Sequence, residues 1–102
     1  MGRPENTLAD EISPAGALGA ALRDLRHAAG MSQTELAARS GCAPATVGQV
    51  ERGRFLPSSE LVEVWEDELG ERGTLGPLWE RAVLRAHARR ASNGGSSRAA
   101  QP

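Results

Sequence analysis

The chain has no tyrosine, no lysine, one phenylalanine and one cysteine among its 102 residues. Each shortage excludes something. With aromatics this scarce, and with no stretch in which Val, Ile or Thr alternates with polar residues over a strand's length, nothing argues for a sheet, and the expected class is all-α. Cys42 is alone, so no internal disulfide can form, and His27 and His87 do not complete the ligand set of a zinc site. No metal is expected. No run approaches the roughly 18 consecutive apolar residues of a membrane span, and Met1-Gly2-Arg3-Pro4-Glu5 lacks the apolar core of a secretory leader. These absences set the expectation of a cytoplasmic protein without membrane contact. At 39% hydrophobic and 25% charged residues, the chain can bury one modest helical core.

The formal net charge of -1 also lacks the basic excess usual in nucleic-acid binders. Distribution matters more than the sum. Residues 60–71 hold six acids (Glu60, Glu63, Glu66, Asp67, Glu68 and Glu71) and no base, whereas residues 72–90 hold five arginines against Glu80 alone. The acid block masks a basic surface elsewhere.

Residues 32–53 are the informative part. Ser32 with Glu35 three residues later has the capping-box pattern, which starts a helix by satisfying orphan backbone donors. Leu36 gives that helix an apolar contact, Ala37 is small enough to let a second helix cross closely, and Ser40-Gly41 breaks the pattern where glycine can take a positive φ. Pro44 suits the first turn of a second helix, in which Val47 and Val50 repeat at i, i+3 while Cys42 tucks inward. The other face of this helix carries Ala45, Thr46, Gly48, Gln49 and Arg52, and Gly53 ends it before Arg54-Phe55-Leu56-Pro57. Two short helices joined by a tight turn are the arrangement that places a helix in the major groove of DNA.

With Leu22-Arg23-Asp24-Leu25-Arg26, Ala29-Gly30-Met31-Ser32-Gln33, Glu35-Leu36-Ala37, Thr46-Val47 and Val50-Glu51-Arg52-Gly53 followed by Pro57, the chain resembles the phage-repressor and Cro-like helix-turn-helix regulators. Bacterial versions are known as the xenobiotic-response-element family. Its arginine-only bases and abundant alanine also resemble the short regulators of actinobacteria. The resemblance spans about residues 17–70 and implies a five-helix lambda-repressor-like domain. It further implies base-edge contacts from Pro44, Ala45, Thr46 and Gln49, and phosphate contacts from Gln33, Arg52, the Gly53 backbone and Arg54. Arg26 and Glu51 match a mostly buried pair that ties the first helix to the recognition helix. Two positions depart from the family pattern: Ala43 stands where a Ser or Thr cap is usual, and Gly48 where a larger side chain is usual.

Along the chain, residues 1–16 read as a flexible lead-in containing Pro4 and Pro14. Residues 17–90 form the domain. A first helix runs from about residue 17 to Ala29 and faces the core with Leu18, Leu22 and Leu25. A fourth starts at Ser58 or Ser59 and buries Leu61, Val62, Trp65 and Leu69. Leu75, Leu78, Trp79, Ala82, Val83 and Ala86 mark a fifth amphipathic helix reaching Arg90, and residues 91–102 read as a disordered tail. The fourth helix has an acid row at Glu60, Glu63, Asp67 and Glu71. The fifth has a basic row at Arg81, Arg85 and Arg89 that can face it across a hairpin.

These residues point to sequence-specific binding of double-stranded DNA by a transcriptional regulator, with residues 44–52 as the recognition helix. No cofactor and no catalytic residue are expected: a nucleophilic cysteine needs a nearby base and an orienting group, and the resemblance puts Cys42 at the family's small apolar core position. A homodimer on paired half-sites is expected, with Leu75, Leu78, Trp79 and Val83 as its interface. The alternative is a protein-interaction adaptor, or an antitoxin-like module, that binds a partner through the acidic fourth helix or the fifth.

Overall fold

Residues 13–100 are described in the structure, a computed structural model, with side chains through Arg90. Residues 1–12 of the expected lead-in lie outside the described residues. Five helices follow: α1 (Pro14–Ala28), α2 (Gln33–Ser40), α3 (Pro44–Glu51), α4 (Ser59–Leu69) and α5 (Leu75–Ala100). There is no strand among the described residues, and the fold is an all-α helix-turn-helix domain.

The first helix begins earlier than the sequence suggests. Ser13 accepts a hydrogen bond from the Gly16 N–H at 2.9 Å and Pro14 occupies the first turn, where a missing N–H costs nothing. Pro14 therefore opens α1 instead of marking a lead-in. At α2, Ser32 accepts from the Glu35 N–H at 3.0 Å. The Glu35 carboxylate turns to Arg39 at 3.5 Å, so the cap is made by the serine. Gly41 ends α2 at φ +74°, a conformation in which a Cβ would be strained, and α3 starts three residues later behind Ala43, which makes no side-chain cap. Ser58 is the cap of α4.

The core is built from one face of each helix. Leu18 and Leu22 of α1, Leu36 and Ala37 of α2, Val47 and Val50 of α3, Val62 and Trp65 of α4, and Leu75 of α5 are all buried. Trp65 is the largest, and its indole N–H donates to Ser40 Oγ at 3.0 Å, so burial leaves no orphan donor. Gly19 is the tightest crossing. A Cβ there would lie 2.3 Å from the Val50 carbonyl oxygen, so only glycine lets α1 approach the end of α3.

The fifth helix is started by a residue from another element. Glu66 of α4 is buried, and its Oε2 accepts the N–H groups of Gly73 at 3.0 Å, Leu75 at 2.9 Å and Gly76 at 3.0 Å. The Leu75 and Gly76 N–H groups are orphan donors of the helix start, the Gly73 N–H belongs to the turn before it, and a carboxylate there also complements the helix dipole. The helix then packs chiefly against α1. It continues past Arg90, where the sequence pattern ends it, to Ala100. Residues 91–100 of the expected tail continue this helix, although Ser92-Asn93-Gly94-Gly95-Ser96-Ser97 are poor helix formers.

A candidate nucleic-acid interface on the third helix

Burial divides α3 into two faces. Val47, Gly48, Val50 and Glu51 are buried, whereas Pro44, Ala45 and Gln49 are exposed, Thr46 is half-buried, and Arg52 at the C-cap is exposed. Ala45, Gln49 and Arg52 stand four and three residues apart and so share one side of the helix. None of these three side chains hydrogen-bonds or ion-pairs within the described residues. The placement of Gly48 differs from the expectation of an outward residue. It lies under the Gln33 side chain, whose Oε1 is 3.5 Å from where a Cβ would sit.

The orientation of this face is fixed from behind. Arg26 of α1 donates through Nε to Glu51 Oε2 at 2.6 Å and through Nη2 to Oε1 at 3.0 Å, a bidentate fork with both side chains over nine-tenths buried. Arg26 Nη1 also donates to the Met31 carbonyl at 2.9 Å, which ties in the loop before α2. The hydrogen bond to Glu51, and its charge, hold the guanidinium pKa above the ordinary arginine value against the opposing effect of burial. Gln33, at the start of α2, donates from Nε2 to Glu51 Oε1 at 3.0 Å. One carboxylate thus fastens α1, α2 and α3 together.

Beyond α3 the chain turns through Gly53, at φ +73°, where a Cβ would lie 3.1 Å from Gly16 Cα. The Gly53 N–H donates to the Val50 carbonyl at 2.9 Å, and the Arg54 N–H to the Gln49 carbonyl at 2.9 Å. The Gly53 N–H, which the resemblance placed at a phosphate, closes the helix end in this structure. Arg54 itself is exposed, and its side chain, like that of Arg52, makes no ion pair among the described residues.

Two further expectations change. Leu75 of the candidate dimer interface is fully buried, and Trp79 packs against the core while donating its indole N–H to the Pro57 carbonyl at 2.6 Å. Leu78 and Val83 are half-buried. The apolar pattern that suggested an interface is mostly spent on this chain's own core. The acid row of α4 and the arginine row of α5 form no ion pair among the described residues: Asp67 pairs with Arg72, Glu68 with Arg39 at 3.6 Å, and Glu66 caps α5. Because α5 packs mainly on α1, Arg85 and Arg89 instead share a groove with Arg54.

Sequence reasoning missed Gly19, Glu66 and this grouping of arginines. A glycine in a helix and a glutamate in an acid run carry no mark of the partner that gives them their role. Arg85 and Arg89 were legible as a row, but which neighbour the row faces is a matter of helix packing.

Residues 17–65 match the family model described as a helix-turn-helix domain. That match, over 49 of the 102 residues, and the five-helix arrangement agree on an all-α helix-turn-helix fold, and a domain of this kind suggests DNA binding. Comparison with curated proteins and with solved structures returned no match. Among the described residues, no helix is long and apolar enough to cross a membrane.

Proposed function

We propose that this chain is a sequence-specific double-stranded DNA-binding transcriptional regulator of the phage-repressor and Cro-like type, with α3 as its recognition helix. One observation carries the reading. The outward side of α3 bears Ala45, Gln49 and Arg52 with no partner inside the described residues, while the inward side is locked by Glu51 to two other helices. A helix braced so firmly behind and left uncommitted in front is suited to presenting side chains to a groove.

In this mechanism α3 enters the major groove. Gln49 makes a bidentate contact with an adenine edge, Ala45 or Thr46 lies against a thymine methyl, and Pro44 touches the neighbouring base edge. Arg52 and Arg54 hold phosphates and set the register, and Gln33 uses its remaining amide hydrogen on another. Two copies on half-sites about 34 Å apart supply the specificity that one small module lacks. For the adaptor alternative, Glu66, Asp67 and Glu68 of the acid block are engaged within the domain, whereas Glu60 and Glu63 are exposed and form no ion pair among the described residues.

Selection of bound duplexes from a random pool tests the proposal. The expected result is enrichment of a short motif whose binding weakens steeply with salt, because neutralised phosphates release counterions. A pool without enrichment, with binding to protein alone, would transfer the fold to the adaptor role.

A further inference from the structure

Arg54, from the turn after α3, and Arg85 and Arg89, one helical turn apart on α5, line a single groove of about 280 Å³. Pro14, Phe55 and Ala86 provide part of its apolar lining, and Phe55 is half-exposed. All three guanidinium groups belong to exposed residues, and none forms an ion pair with an acid among the described residues. Three like charges gathered on one groove repel each other, and an anion among them offsets that repulsion. The first turn of α1 also lines the groove, and its dipole adds positive potential of the same sign.

We propose that this groove is a second nucleic-acid contact, in which Arg85 and Arg89 grip backbone phosphates of the duplex that α3 reads, beyond those held by Arg52 and Arg54. Charge complementarity selects a polyanion. Continuity selects the same duplex, because Arg54 belongs at once to the groove and to the phosphate-gripping end of α3, with Gly53 lining the space between them. Phosphates recur along a duplex at short, regular intervals, so a duplex engaged at Arg54 brings further charges toward the cations beside it. Guanidinium groups suit this use, since their planar forks bind phosphate oxygens in pairs and their stems lie on apolar surface. The fifth helix thereby acts as a non-reading clamp, adding affinity to every sequence and discrimination to none. This inference rests on the DNA reading above.

The test uses the full chain and fluorescence-anisotropy titration of a random-sequence duplex at several salt concentrations. Arg85→Gln with Arg89→Gln is compared with the unaltered chain and with Arg23→Gln plus Arg72→Gln, a control that removes the same charge away from the groove. Loss of two phosphate contacts lowers the salt slope by about two, so a rise from about 50 to 200 mM salt costs the groove variant about tenfold less affinity than it costs the unaltered chain. The control variant keeps the original slope. An unchanged slope in the groove variant, while Arg52→Ala still weakens binding, overturns the clamp and leaves the DNA reading intact. Equal slope losses in groove and control variants also overturn it, by assigning the effect to net charge. If the unaltered chain binds no duplex, both proposals fail.

Discussion

The Gln33 side-chain amide donates to the same Glu51 oxygen, Oε1, that accepts a hydrogen bond from Arg26. The first residue of α2 is thereby coupled to the last residue of α3 through a carboxylate already clamped by α1. Changing Glu51 to Ala should leave a buried guanidinium without its counter-ion and cost about 3 to 5 kcal/mol. A melting temperature lower by more than about 10 °C is the expected readout. The cost measures an uncompensated charge more than the net worth of the pair, because desolvation opposes its attraction. Since the Arg26 pKa is raised on folding, the contribution of its titration is fully present below the ordinary arginine range and is lost only as pH climbs beyond it. Stability should thus show no loss from Arg26 deprotonation near neutral pH.

Glu66 should matter to α5 rather than to any surface interaction. Glu66→Ala removes the acceptor of three backbone N–H groups and should cost about 2 to 4 kcal/mol, while Glu66→Gln, which keeps an oxygen acceptor, should lose less. Hydrogen exchange should quicken at Leu75 and Gly76 in the alanine variant. Unchanged exchange there would show that the cap does not hold the helix start.

Two helical glycines should respond in opposite directions. At Gly19 an added Cβ meets the Val50 carbonyl oxygen at 2.3 Å, so Gly19→Ala must push α1 off α3 and should destabilise by about 1 to 3 kcal/mol. At Gly48 the nearest atom lies at an ordinary 3.5 Å, so Gly48→Ala should stabilise by about 0.5 to 1 kcal/mol through the lower entropy cost of ordering alanine. Denaturant titration of both variants gives the comparison.

The recognition helix lacks a side-chain cap. Ala43→Ser should supply an oxygen to the orphan N–H groups of α3 and add about 1 kcal/mol, read as a higher denaturant midpoint at constant slope.

Reading and gripping should separate on the proposed DNA face. Gln49→Ala should cost about 1 to 3 kcal/mol on the selected site and relax preference at one base pair, leaving the salt slope nearly unchanged. Arg52→Ala or Arg54→Ala should weaken all duplexes alike and lower the slope by about one. Titration of matched and mismatched duplexes distinguishes them. Were Gln49→Ala silent and Arg52→Ala decisive for preference, the two roles would be exchanged.

The sequence by itself determined the helices, most of their boundaries and the existence of the α2–turn–α3 unit. Those features rest on local physics: Ser32 and Ser58 cap their own helix starts, Gly41 takes a positive φ, and Val47 and Val50 repeat at helical spacing. The nearness of Arg26 to Glu51 was legible only through resemblance, since nothing local connects residues 25 positions apart. Tertiary structure alone decided how α5 lies, and with it three outcomes that periodicity does not contain. It buried Leu75 and so removed it from the expected interface, it recruited Glu66 as a cap, and it placed Arg85 and Arg89 beside Arg54 instead of opposite the α4 acids. An amphipathic pattern specifies which face of a helix is buried; the partner that buries it is chosen by close packing, and here α5 packs chiefly against α1.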